Sequence, residues 1–116
     1  MRGLADMSGP FDPEFAYEDL APGALARLTR ALAEYVQRID GLWYVAVMRR
    51  FGDDVAVECD LEVWDRCKRF ELEAFTRALG IERGGLEGLA KYLKANPWVV
   101  ITEPVSLHIS EPTRPL

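Results

Sequence analysis

Two carboxylates, Asp60 and Glu71, fall on a helix face that the sequence otherwise makes apolar. On an ideal helix that turns about 100° per residue, both lie within about 40° of the Trp64 direction. An ionised carboxylate that is buried without a partner costs several kcal/mol, so each must be hydrogen-bonded, paired, protonated or metal-bound. Asp40 lies at the border of the apolar stripe on the preceding predicted helix. These three acids form the candidate site.

The three acids suit a divalent metal ion that acts as a Lewis acid and activates water for hydrolysis, for instance of a phosphoester. Asp40 and Asp60 are the candidate catalytic residues, and Asp40, Asp60 and Glu71 the candidate metal ligands. Oxygen ligands favour Mg²⁺ or Mn²⁺, whereas help from Cys67 or His108 would favour Zn²⁺. Counted from the predicted turn, Asp40 and Asp60 are offset by about 6 Å, and Asp60 and Glu71 by about 16 Å. Within one chain a single ion can join only the first two, and in a homodimer the acids of the second copy could supply the missing ligands.

Two other hypotheses compete with the metal site. In the first, the acids are structural and accept hydrogen bonds that fix the register of the helices. The candidate donors are Tyr35, Arg38, Trp43, Tyr44 and Trp64. In the second, an aromatic set lines a pocket for a flat small molecule, although the same spacing suits an ordinary core. That set consists of Trp43, Tyr44, Trp64, Phe70 and Phe75.

The elements that must position these residues are three helices, which predicts an all-α fold. The first helix begins at Pro22 and runs for about thirty residues to Phe51. Seven of its apolar or aromatic residues alternate spacings of three and four, which makes a heptad seam. The seam consists of Leu25, Leu28, Leu32, Tyr35, Ile39, Leu42 and Ala46.

Glycines mark the ends of the first two helices. Gly52 is expected to end the first helix in a left-handed cap, and Asp53 or Asp54 to cap the second. The second helix is predicted over residues 55–79 with Gly80 as its stop, and the third over residues 86–95. Because the turn at Gly52 is so short, the two long helices are antiparallel neighbours in a hairpin.

The chain divides into a flexible N-terminal arm (residues 1–20), a helical domain (21–96) and an extended tail (97–116). A hairpin with one short helix leaves apolar surface uncovered, so we expect a homodimer whose two hairpins form a four-helix bundle core. The function predicted first is therefore a small helical oligomerising domain. The alternatives are the metal-dependent hydrolase and the domain that binds an aromatic ligand.

Composition bounds the partners and the location. The 116 residues are 49% hydrophobic with a formal net charge of −5, which is typical of one small soluble domain. Fourteen basic residues are interspersed with nineteen acids, which argues against nucleic acid. The longest apolar run, residues 42–48, is far shorter than the roughly 18 residues that a membrane span needs. The N-terminus also lacks the pattern of a signal peptide, so we expect a cytoplasmic protein.

Several segments resemble an uncharacterised family of prokaryotic cytosolic proteins, which is itself similar to small proteins named after L-2-amino-thiazoline-4-carboxylate hydrolase. The most specific segment is Asp40-Gly41-Leu42-Trp43, and the resemblance extends from residue 17 to residue 98. Asp40 and Asp60 match the family pattern. Members of that family continue into a C-terminal α/β portion with Cys-Pro motifs, which residues 110–116 do not match. The resemblance therefore implies a chain that is truncated at its C-terminus.

Overall fold

A computed structural model describes residues 2–82 and 84–98, which form three α-helices and no strand. The helices are α1 (Pro22–Phe51), α2 (Asp53–Leu79) and α3 (Gly85–Ala95), preceded by a 3-10 turn at Tyr17–Asp19. The prediction of an all-α fold with a long hairpin and a short third helix is confirmed. The four-helix bundle of a homodimer stays a prediction.

The hairpin turn consists of the single residue Gly52. Its φ of 94° and ψ of 165° lie in a region that glycine alone adopts readily, so the predicted left-handed cap is wrong at this position. The expected side-chain cap of α2 is also wrong: Gly52 is the N-cap residue, and Asp53 and Asp54 lie in the first turn. There the two negatively charged carboxylates interact favourably with the positive N-terminal end of the helix dipole. At the other end of α2, Gly80 has the predicted left-handed conformation, with φ 62° and ψ 32°.

Helix α1 presents one face to α2 and its heptad seam to the other side. Ala33 is only 3% exposed, and the Tyr44 hydroxyl reaches across to Asp53 at the start of α2. Viewed down the helix, these two residues point in nearly the same direction, and the centre of the seam lies about 140° away from it. The four central side chains of the seam are between 46% and 63% exposed: Leu32, Tyr35, Ile39 and Leu42.

The buried core of the described chain is small. Its buried apolar residues are Leu20, Ala24, Ala33 and Ala56, and none of its large side chains is fully buried. Small residues let the axes of α1 and α2 approach closely, but they remove little apolar surface from water. None of the helices in the described part combines the length and the apolar content that crossing a bilayer requires.

The N-terminal arm is bonded to the start of α1. Leu4 and Leu20 form a parallel β-bridge, in which the Leu4 amide donates to the Asp19 carbonyl and the Ala21 amide donates to the Leu4 carbonyl, both at 2.7 Å. Arg2 pairs with Asp12 at 2.7 Å and with Asp19 at 3.1 Å. These contacts close the arm over the N-terminal end of α1. The flexibility predicted for the arm stays a prediction.

Helix α3 packs against the C-terminal part of α2. The chain reverses direction at Gly84 and Gly85, which both have positive φ. At Gly88 the chain passes so close to the Glu82 carbonyl oxygen that a Cβ atom would collide with it. Beyond α3, the backbone of Pro97 and Trp98 is helical, so the predicted extended conformation does not begin there. The rest of the predicted tail, with His108, lies outside the described residues.

Substituting alanine for glycine should have opposite effects at two helical positions. Gly88→Ala should lower the free energy of unfolding by about 1–3 kcal/mol, because its Cβ meets a backbone atom that cannot rotate away. Gly41→Ala meets nothing within 4 Å and should raise the free energy of unfolding by about 0.5–1 kcal/mol. Urea denaturation followed by circular dichroism measures both. Equal effects of the two substitutions would contradict the placement of α3.

Acid should release the arm from α1. The hydrogen bonds from the Arg2 side chain and the Ala16 amide hold the pKa of Asp19 below its ordinary value of 3.8. A lowered folded-state pKa means that the contribution to stability is present above pH 4 or so and is lost as the pH falls through the folded pKa. The NMR protection factors of the Leu4 and Ala21 amides should therefore decrease when the pH is lowered below about 4. In an Asp19→Asn variant they should be low throughout and lose this pH dependence.

Candidate functional site

Glu71 of α2 is hydrogen-bonded to α3. Its Oε1 accepts a hydrogen bond from the Tyr92 hydroxyl at 2.8 Å and a second from Asn96 Nδ2. Both donors lie on α3 or directly at its end, on one face of the helix because they are four residues apart. The half-buried carboxylate is thus satisfied by neutral donors of a neighbouring element, as the structural hypothesis requires.

The contact continues beyond Glu71 to the end of the described chain. Asn96 Oδ1 accepts a hydrogen bond from the Trp98 amide at 2.8 Å. The Trp98 ring packs edge-to-face on Trp64 of α2, with 5.2 Å between ring centroids. Burial and the hydrogen bond to Glu71 raise the pKa of Tyr92 above its ordinary value. The neutral phenol is therefore favoured, so Tyr92 remains a hydrogen-bond donor to Glu71.

Asp40 is held within its own helix. The half-buried carboxylate accepts a hydrogen bond from the Trp43 indole Nε1 at 3.0 Å, one turn further along α1. Trp43 is one of the donors expected under the structural hypothesis. The bond orients the indole ring along the helix surface, where it packs edge-on against Tyr44 at 6.0 Å.

The Tyr44 hydroxyl donates to Asp53 at 2.7 Å, and the negative charge of Asp60 also acts on this phenol. This hydrogen bond, burial, and the negative charges of Asp53 and Asp60 raise the pKa of Tyr44. The neutral phenol is therefore favoured, and its hydrogen bond to Asp53 links α1 to the first turn of α2. Sequence reasoning named Tyr44 as a donor but missed Asp53 as its acceptor, because that residue was assigned to a cap.

The three candidate acids therefore lie at three separate places in the structure. Asp40 is hydrogen-bonded to Trp43 within α1, Asp60 lies on α2 about two turns beyond Gly52, and Glu71 is hydrogen-bonded to Tyr92 and Asn96. Within the two described ranges, no three side chains from His, Cys, Asp and Glu come together in a group that could hold a metal ion. Cys67, also considered as a ligand, is exposed, and Cys59 is half-buried.

The aromatic residues do not form one pocket wall either. Their ring contacts fall at three places: Trp43 with Tyr44, Trp64 with Trp98, and Phe75 with Tyr92. Phe70 is 74% exposed. A hollow between α2 and α3, about 350 Å³ in volume, is lined mainly by aliphatic residues and glycines, with Tyr92 as its aromatic member.

Comparison with known proteins adds the family. Residues 20–112 match the DUF6125 family, described as a family of unknown function. The chain belongs to this family. The DUF6125 match begins at Leu20, where the arm is bonded to α1, and takes in all three helices. It confirms the predicted membership of an uncharacterised family. No curated protein and no solved structure matches the chain.

Removing the Glu71 carboxylate should detach α3 from α2 and leave the hairpin folded. Glu71→Ala loses the acceptor of two hydrogen bonds and should cost about 2 kcal/mol. Hydrogen exchange should then accelerate in α3 but not in α1. The near-ultraviolet circular dichroism of the Trp64 and Trp98 pair should weaken as well.

Two variants of α2 serve as controls. Glu71→Gln keeps one oxygen acceptor and should lose less stability than Glu71→Ala. Glu73→Ala removes an exposed ion pair with Arg69 and should change stability by no more than about 0.5 kcal/mol. Unchanged protection of α3 in Glu71→Ala would show that other contacts hold the helix.

Proposed function

We propose that this domain is a homodimerisation module, in which the heptad seam of α1 packs against the seam of a second copy. The seam is continuous from Leu25 to Ala46, a length of about 30 Å along the helix. Its central side chains keep about half of their surface exposed in the single chain. Contiguous apolar surface of this kind marks sites of protein association.

The direction of the seam is the observation that carries this proposal. An amphipathic helix normally turns its apolar stripe towards its own hairpin partner. In α1, however, the face towards α2 carries Ala33 and Tyr44, with Asp40 in nearly the same direction, and the central side chains of the seam point away from it. The seam therefore serves a contact other than the hairpin.

The heptad spacing favours a helix as the partner. Alternating steps of three and four keep a stripe in line with a second, gently supercoiled helix along its whole length. A second copy of the chain offers the matching stripe, so one surface provides both halves of a two-fold interface. Two hairpins joined in this way give an assembly of four helices with the two α1 helices at its centre, because the seam and the face towards α2 lie about 140° apart on α1.

The small core supports the same conclusion. A domain of this size is ordinarily stabilised by several large apolar side chains that are removed from water. In the described part of the chain, three of the four buried apolar residues are alanines. Packing two seams together would bury Leu32, Ile39 and Leu42 and add the apolar area that one chain does not cover.

The alternatives from the sequence stay predictions. They are the divalent-metal hydrolase, the aromatic-ligand site, the relation to the amino-thiazoline hydrolase-like proteins and the cytoplasmic location. Glu71 Oε1 already accepts from Tyr92 and Asn96, and the aromatic rings are divided among three places. Neither observation favours these functions over dimerisation.

Charges placed in the middle of the seam should convert the dimer into monomers. Leu32→Glu with Ile39→Glu would place carboxylates in the proposed interface, where burial of an unpaired charge costs several kcal/mol. In sedimentation equilibrium, the unaltered protein should have twice the chain mass of 13.1 kDa, and the double variant should have the mass of one chain.

The control is Leu86→Glu, which introduces the same charge at an 84% exposed leucine on α3. This variant should remain dimeric. Circular dichroism should show that all variants remain helical, because the substituted side chains are at least about half exposed in the single chain. The double variant should have a lower free energy of unfolding, because its seam is uncovered. A single-chain mass for the unaltered protein at high concentration would refute the proposal.

A further inference from the structure

We propose that the two α1 helices pair antiparallel, so that the hairpin turn of each copy lies beside the N-terminal arm of the other. This inference rests on the proposed dimer and concerns its geometry. The alternative is a parallel pair, in which both turns lie at the same end. The charges, the side-chain sizes and the arm each distinguish the two arrangements.

The basic residues at the C-terminal end of α1 disfavour a parallel pair. The spacing of the seam continues from Ala46 to Arg49, and Arg50 is the next residue around the helix; both arginines are exposed. In a parallel pair, Arg49 would face Arg49 of the second copy at the end of the seam, with the two Arg50 side chains alongside. Like charges placed opposite one another destabilise helix pairs.

The arm supplies the complementary charge at the other end of α1. Residues 2–20 contain five acids and one arginine: Asp6, Asp12, Glu14, Glu18, Asp19 and Arg2. Glu18 is exposed in the 3-10 turn that directly precedes α1. An antiparallel pair brings Arg49 and Arg50 of one copy to this acidic arm of the other. A parallel pair would place the two acidic arms side by side.

Side-chain size favours the same arrangement. In a parallel pair, each seam residue meets its own counterpart, so Ala46 meets Ala46 and leaves a gap. In an antiparallel pair with Tyr35 opposite Ile39, Leu32 lies opposite Leu42 and Leu28 opposite Ala46. Tyr35 then faces the smaller Ile39 and Leu28 faces Ala46, with the equal pair of Leu32 and Leu42 between them, and this arrangement fills the space between helices more evenly.

Spin-label distances test the orientation. In a background with Cys59→Ala and Cys67→Ser, a label at Asp54→Cys marks the hairpin turn away from the seam. Because α1 is about 45 Å long, antiparallel pairing puts the two turns about 40 Å or more apart. Parallel pairing would hold them within about 25 Å, the width of a four-helix bundle.

A mixed dimer provides the reciprocal measurement. With one copy labelled at Ala26→Cys and the other at Asp54→Cys, antiparallel pairing gives a distance within about 25 Å, and parallel pairing gives about 40 Å. A short turn-to-turn distance with a long mixed distance would overturn the antiparallel inference but leave the dimer standing. A single-chain mass without any distance between copies would overturn both.

Charge removal gives a result whose sign depends on orientation. With Arg49→Ala and Arg50→Ala, antiparallel pairing loses an attraction to the arm, so the dissociation constant should rise by about fivefold at low salt. High salt should weaken the unaltered dimer in the same direction. A lower dissociation constant for the double variant would mean that relieved repulsion dominates, which contradicts the antiparallel pair.

Discussion

Helix α1 carries two different surfaces, one that contacts α2 and one that bears the heptad seam, and the rest of the described structure depends on this division. Towards α2 it presents a small residue, Ala33, and the polar side chains of Asp40 and Tyr44. The small residue allows close approach, and the polar ones are satisfied by Trp43 and Asp53. Such a surface specifies the geometry of the hairpin but buries little apolar area. The central apolar side chains of the seam lie on the opposite surface, and in the proposed dimer their burial would add the apolar area that the hairpin lacks.

The boundaries of the helices could be predicted because the signals that set them are local. Pro22 suits a first turn, and Gly52 and Gly80 adopt backbone conformations that other residues avoid. The conformation at Gly52 was not predictable in the same way. A one-residue turn leaves no position for a preceding aspartate cap, and Asp53 becomes an acceptor for Tyr44 instead. Turn length, which depends on how the two helices meet, decided the role of that residue.

The roles of the acids depended on contacts that are distant in sequence. Periodicity placed Glu71 on the inner side of α2, and it is indeed half-buried. Its donors, Tyr92 and Asn96, are 21 and 25 residues away on a helix whose docking position no local pattern sets. The only available signal was the spacing of four between those two donors. Periodicity also cannot tell which of two neighbours an apolar stripe meets, so the outward direction of the α1 seam emerged only with the structure.

The arm and the seam differ in their relation to the family. The match to DUF6125 begins at residue 20, so the whole seam lies within it and the acidic arm lies before it. In the proposed dimer, the apolar layers would supply most of the association free energy, because exposed ion pairs each contribute little. The arm would affect association only at the end of the interface, through its negative charges, which salt screens and acid neutralises. A change in the arm could thus alter the strength of pairing while the apolar seam, and with it the identity of the partner, stays the same.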